Sequence, residues 1–271
     1  MTIKVIKIGG NVVDNPEMLK RFVADFAALE GPKVLIHGGG VMASQMQKSM
    51  GMVPNMVDGR RVTDEETLRV VTMVYAGWCN KNIVALLQAE GCNALGFTGA
   101  DGNIIRATKR APIWSDSMGA EVDYGYVGDV KGESVNAKFM HSLLAQGIVP
   151  VMCAINHDGQ GHLLNTNADT IASSVATALA NYKEDGSTND EVDLIFCFEK
   201  NGVLLDKDDD NSVIPHITPE KFASLKEEGV VADGMLPKLA NSFKAIQAGV
   251  SKVVIKHAAN LSNDIETRLT L

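Results

Sequence analysis

The sequence predicts an α/β fold, with a parallel-type sheet covered by helices on both faces. Three observations predict it. Short β-branched and aliphatic runs recur along the chain. Helical patterns with recognisable ends lie between them, and glycine turns directly follow two of the apolar runs. In order, IKVIKI (3–8), KVLI (33–36), NALGF (93–97), IVPVMC (148–153), DLIFCF (193–198) and KVVIK (252–256) read as buried strands. Among the helices, Thr63 with Glu66 reads as a capping box ahead of Leu68, Val71 and Tyr75, giving a helix from Asp64 to about Gly77. Asn136 opens a helix that presents Phe139, Met140, Leu143 and Leu144 and is closed by Gly147. Thr218 with Pro219 starts another, and Gly249 ends the one carrying Leu239, Phe243 and Ile246. The pieces NIIRATK and YVGDVK, within 103–131, are expected as hairpins at the sheet's edge. YKEDGSTNDEVD (182–193) is polar and turn-rich, either a divider between two lobes or a surface loop. DKDDDNS (206–212) lacks the central glycine and terminal glutamate of a calcium loop and reads as a solvated turn.

Bulk properties narrow the function. A chain of 271 residues makes one large domain or two modest ones, and 45% hydrophobic with 21% charged residues gives a sizeable core. The net charge of −8 argues against nucleic-acid or anionic-membrane partners. The 4 cysteines (79, 92, 153 and 197) form no CxxC pair, and three lie in apolar runs, as small buried hydrophobes of a reducing compartment do. MTIKVIKIGG lacks a signal peptide's apolar core, and no apolar run approaches about 18 residues. A soluble cytoplasmic protein is expected.

HGGGVMA (37–43) places three glycines after a strand, where only a close backbone approach justifies their entropic cost. Gly38, Gly40 and Ala43 fit a dinucleotide fingerprint, but no clean second strand with a terminal acid follows. A nicotinamide-dependent dehydrogenase is therefore the less favoured reading. Gly9 and Gly10 follow the first strand, with Lys7 at its end. Two strand–glycine–helix junctions can aim backbone N–H groups at one anion shared by two ligands. In GHLLNTNADTIASSVATAL (161–179), Asn165, Asn167 and Asp169 precede a helix, and for Asn167 plain capping is an even alternative. Lys238 follows Pro237 in a helix's first turn, electrostatically misplaced unless an anion lies nearby. In DGRRVTDEE (58–66), either Arg60 or Arg61 could grip a carboxylate. None of the 6 histidines reads as functional.

The ordered motifs IKIGG, HGGG, GRRVTD, GFTGADGN, GYVGDV, NTNADT and GMLPKL resemble the N-acylglutamate kinases of the amino acid kinase family, over residues 3 to about 257. The resemblance implies a three-layer αβα sandwich with an open, mainly parallel sheet. An N-terminal lobe (1–177) would bind the acylated amino acid and carry the dimer contact, and a C-terminal lobe (178–271) would bind ATP with its Mg2+. Lys7 and Lys238 would stabilise the transferring phosphoryl group, held by Asp169. Gly10 and Gly40 would donate N–H bonds to its oxygens. Gly39, Gly40, Arg61 and Asn165 would bind the acceptor. The nucleotide would lie by Gly9, along Glu199, Lys200, Asn201, Gly202, Val203 and Leu204, and along Val230, Val231 and Ala232, with no protein metal ligand. The implied activity is phosphorylation of the γ-carboxylate of an N-acylglutamate, acetyl or succinyl, in arginine biosynthesis. A carboxylate ionised at pH 7 needs no general base. A sensor that has lost the chemistry would not need both lysines.

The chain departs from the family pattern at Val41, at Glu199-Lys200, and in an abbreviated C-terminus. Arginine-inhibited members carry a helix before the first strand, whereas here that strand begins near residue 3. A homodimer insensitive to arginine is therefore expected, paired through the helix of residues 64–77. Arg106, Lys109 and Arg110 in RATKR form a basic cluster, either a solvated guard of a hairpin edge or a partner for a succinyl carboxylate.

Overall fold

The computed structural model describes residues 2–183, 189–231 and 235–271, without the side chain of Pro237. All six expected strands form and share one sheet. They are β1 (Thr2–Ile8), β2 (Lys33–His37), β3 (Ala94–Phe97), β4 (Val149–Cys153), β5 (Glu191–Phe198) and β7 (Lys252–His257). Two short strands that the sequence did not announce, β6 (His216–Ile217) and β8 (Glu266–Leu269), complete an 8-stranded sheet of order β6-β8-β7-β5-β1-β2-β4-β3. β7 and β8 pair antiparallel, and the other neighbours pair parallel. Every residue of β2 is buried, which requires cover on both faces of the pleat. The helices supply it: α1 (Gly10–Asp14), α2 (Pro16–Ala28), α3 (Gly40–Ser49), α4 (Glu65–Ala89), α5 (Ala137–Ala145), α6 (Ala168–Asn181), α7 (Pro219–Glu227) and α8 (Met235–Gln247).

The register fixes the site. Ile8 lies opposite His37 on one side and Cys197 on the other, so β1, β2 and β5 end level at one sheet edge. The chain leaves β1 for β2 on one flank, and β5 fills the other. A crevice opens where the winding reverses, the usual ligand position in open parallel sheets.

Several expectations change in detail. The cap of α4 is Asp64, which accepts from the Thr67 N–H at 2.8 Å. The hydroxyl of Thr63 is taken instead by the Arg61 carbonyl and by Asn165. α4 does not stop near Gly77 but continues to Ala89 through a π-helical segment, Met73–Cys79. By length and composition it could cross a membrane, although no apolar run of that size stood out in the sequence. Val70, Val71, Val74, Ile83 and Leu87 lie in the core, while Met73 (56%) and Trp78 (63%) are exposed. The pieces within 103–131 form separate two-stranded ribbons, not edges of the main sheet. Asp206 and Asp209 close tight turns on the N–H groups of Asp208 and Asn211, as a solvated turn requires. Asn136 and Thr218 cap their helices as expected. The polar stretch 182–193 lies partly outside the described residues, and Glu191 to Asp193 begin β5.

Candidate active site

At the edge where β1, β2 and β5 end, two helices begin on glycine. Gly9 precedes α1 and Gly39 precedes α3, and neither helix start has a side-chain cap. Their first N–H groups are therefore available to an anion. Gly39 has to be glycine. Its φ is +155°, and a Cβ there would stand 2.9 Å from Tyr75 Cδ1 and 3.0 Å from Cys79 Sγ. Both residues belong to the π-helical segment of α4, whose extra residue per turn lets them press on the glycine turn.

His37 braces the same turn from inside the protein. It is fully buried, its Nδ1 lies 2.8 Å from the Gly38 carbonyl, and its Nε2 lies 3.0 Å from Asn80 Nδ2. A carbonyl can only accept and an amide nitrogen only donate, so the proton sits on Nδ1. Burial lowers the imidazole pKa to about 4, against the Gly38 hydrogen bond and with help from Lys81. The sequence reading left this residue unassigned, although its place at the head of HGGG was the available signal.

Charge converges just outside the turn. Lys7 pairs with Asp169 at 2.7 Å, and Lys238 stands 3.9 Å from the other carboxylate oxygen. Burial opposes ionisation of Asp169, but Lys7 and Lys238 outweigh it and hold the carboxyl below its usual range. The Lys238 ammonium also lies 4.6 Å from the centre of the Phe198 ring. Burial lowers its pKa, Asp169 opposes that shift, and Lys7 adds to it. Asp169 sits in the first turn of α6, where the helix dipole favours a negative charge. Asn167 caps α6 through the Thr170 N–H, and the capping alternative for that residue is what the structure shows.

Two cavities flank the glycines. One of about 390 Å³ is lined by Lys7, Gly10, Gly39, Gly40, Arg61 and Glu199, among others. A second of about 210 Å³ shares Gly39, Gly40 and Arg61 with it and adds Asn165. A third, of about 700 Å³, is lined in part by Asp169 and Lys238. Arg61 is buried, with Nη2 donating to the Gly40 carbonyl at 2.9 Å and to Ser44 Oγ at 2.7 Å, and Nη1 donating to Gln47. Asn165 donates to Thr63 Oγ1 at 3.1 Å.

The expected nucleotide residues are more dispersed. Glu199 accepts from Asn11 and lines the 390 Å³ cavity. Lys200 pairs with Asp210 at 2.8 Å, and Asn201 donates to the Asp210 carbonyl at 3.0 Å. A Cβ on Gly202 would lie 2.6 Å from Thr267 Oγ1, and that hydroxyl accepts from the Val203 N–H at 2.8 Å. Leu204 bridges to Val213. The N–H groups of Val230 and Val231 both donate to the Leu225 carbonyl at the end of α7. Gly9 donates to the Cys197 carbonyl at 2.9 Å, and Ala232 lies outside the described residues. The four cysteines are free and buried, and burial lifts the thiols of Cys79, Cys153 and Cys197 to about 12, so they are poor nucleophiles at neutral pH.

Uncapped N–H groups and two lysines tied to one carboxylate suit a group whose negative charge moves between two ligands. Such a constellation is one that an α/β phosphotransferase can use. The sequence profile of the amino acid kinase family matches residues 2–257, and the chain belongs to that family. It is 53% identical over 260 residues to an acetylglutamate kinase of Phocaeicola vulgatus, covering 96% of this chain and 95% of that one. It is also 53% identical to an acetylglutamate kinase of Parabacteroides distasonis, covering 98% of each. Among solved structures, an N-acetylglutamate synthase from Neisseria gonorrhoeae, complexed with coenzyme A and N-acetyl-glutamate, superposes with a TM-score of 0.78. The identity is 22%, over 100% of this chain and 59% of that one, which shows a shared fold.

Proposed function

We propose that the chain transfers the γ-phosphoryl group of ATP to the γ-carboxylate of an N-acylglutamate, N-acetylglutamate being the acceptor named for its 53%-identical relatives. The observation that carries this reading is the Lys7–Asp169–Lys238 chain of ion pairs, with Lys7 lining one cavity beside the glycines of two uncapped helix starts. A carboxylate oxygen of the acceptor attacks phosphorus, the bond to the ADP oxygen breaks, and an acyl phosphate and ADP result. The attacking carboxylate is already ionised at neutral pH, so no base is required. Positioning and charge neutralisation remain, and oriented N–H groups and lysines supply both. Gly10 and Gly40 would donate to the phosphoryl oxygens, and Arg61 with Asn165 would hold the acceptor. The nucleotide would lie on the Glu199 side, on residues 178–271, with residues 1–177 serving the acceptor. Both parts contribute strands to the one sheet. Mg2+ would arrive on the nucleotide phosphates. Asp169 is engaged by two lysines, and no group of three or more candidate metal ligands occurs among the described residues.

Coupled ADP release with N-acetyl- and N-succinylglutamate side by side tests the reaction, and no ADP above the ATP-only background with either would overturn it. The exposed Met73 and Trp78 on α4 support pairing with a second copy as a homodimer. Light scattering of the wild type and of Trp78→Lys tests that pairing. Four free buried cysteines fit work in the reducing cytoplasm, as one enzyme of arginine biosynthesis.

A further inference from the structure

The basic cluster of RATKR does not stay together. Arg106 donates to the Asp158 carbonyl at 3.0 Å and the Lys109 ammonium lies 5.7 Å from the Tyr126 ring centre; both line a separate outer cavity. Arg110 turns the other way. It lines the 210 Å³ acceptor cavity, together with Gly39, Arg61 and Asn165. Arg60, the neighbour set aside in the choice between two arginines, lines it as well. This small cavity therefore carries three guanidinium groups and no carboxylate among its lining residues.

Arg110 is held as a presented group. Its Nε donates to both Asp129 oxygens at 3.1 Å, its Nη2 donates to the same carboxylate, and its guanidinium carbon lies 5.6 Å from the Tyr124 ring centre. The side chain is 10% exposed. Its Nη1 is buried and has no hydrogen-bond partner in the protein. Burial, and then the charge of Arg110, lower the pKa of Arg60, so the two cations compete for the same space. An N-acetylglutamate brings two carboxylates: one goes to the phosphoryl end and one to Arg61. Asp129 answers one of the two remaining cations, and a methyl group answers neither.

We infer that the acyl end of this cavity is built for an acyl chain that itself ends in a carboxylate, as a succinyl group does, received by Arg110 Nη1 and Arg60. The inference rests on the proposed phosphoryl transfer and sharpens its substrate. A carboxylate at the largely buried Arg110 guanidinium, beside the exposed Arg60, gains a charge-assisted bond that a methyl group cannot make.

The experiment compares kcat/KM for N-succinyl-L-glutamate and N-acetyl-L-glutamate by ADP release, in the wild type, Arg110→Gln and Arg60→Gln. Calorimetry of each acceptor without ATP reads binding alone. The succinyl compound should be favoured by about 10- to 150-fold in the wild type, and that ratio should fall about 10-fold or more in Arg110→Gln. Equal or better efficiency with the acetyl compound in the wild type overturns the inference and leaves the phosphoryl transfer standing. So does a ratio unchanged by Arg110→Gln. Release of ADP with neither acceptor overturns the transfer reading, and this inference falls with it.

Discussion

His37 ties the stability of the glycine turn to pH, and the size of the effect can be worked out. In the folded chain its pKa is about 4, because burial excludes the charged form. In the unfolded chain it returns to about 6.5. As pH falls below about 6.5 the unfolded chain takes up the proton first, so stability is lost from there until the folded histidine also protonates near its own pKa. A shift of about 2.5 units amounts to about 3 kcal/mol in full. Between about pH 7.5 and about pH 5.5 the share already lost is roughly 1.3 kcal/mol. With a urea slope of about 3 kcal/mol per M, that moves the midpoint by roughly 0.4 M. His37→Gln cannot protonate. It should be less stable at about pH 7.5 by about 1–3 kcal/mol, because the Gly38 and Asn80 hydrogen bonds are disturbed. Its midpoint should then depend less on pH than the wild type's, by the same roughly 0.4 M. Urea melts of both proteins at the two pH values give the comparison. Equal pH dependence in the two proteins, or a His37 ring titrating near 6.5 by NMR, would refute the reasoning.

Lys7→Ala and Lys238→Ala should each lower turnover by about 10²–10³ with a smaller effect on the acceptor KM, and turnover within a few-fold of wild type would remove that lysine from the role. Asp169→Asn removes the charge that opposes the lowering of the Lys238 pKa, so the alkaline fall in kcat should begin at a lower pH than in the wild type. An unmoved alkaline limb would show that Lys238 does not set it. Arg61→Ala should raise the acceptor KM by about 10- to 150-fold and leave the ATP KM nearly unchanged, read from initial rates with each substrate varied. Gly39→Ala drives a Cβ into Tyr75 and Cys79, and urea melts should show a loss of about 1–3 kcal/mol together with weaker turnover.

The six strands were legible because each is a compact, largely apolar run, which hydrophobicity alone marks, even β3 at the sheet edge, where Leu95 is exposed. β8 escaped because Glu266–Leu269 alternates in burial and gains its place by pairing with β7 and β6. The extent of α4 was hidden by Gly77, which reads as a terminator but lies inside the π-helical segment, with no heavy atom near its would-be Cβ. Thr63 met every local requirement of a cap. Its hydroxyl is engaged by Asn165, more than a hundred residues away, and no local pattern carries that fact. The same limit explains Arg60 and Arg110: local sequence says that each is basic, and only the ribbons and the glycine turn say that both line one cavity.

The site residues that the motifs named cohere for a physical reason. Two lysines brought to one carboxylate repel each other, and taking them out of water adds to the cost. Asp169 meets both terms, since its two oxygens face Lys7 and Lys238 respectively, and the start of α6 favours its charge. Three polar residues before an apolar helix looked excessive for capping, and the excess has separate employment. Asn167 caps α6, Asn165 joins the 210 Å³ cavity to the buried Thr63, and Asp169 pairs with both lysines. The glycines follow from the same demand. In the proposed transfer the cations are fixed and no base is needed, so the remaining contacts to the moving group would come from backbone N–H donors, which two uncapped helix starts on glycine offer.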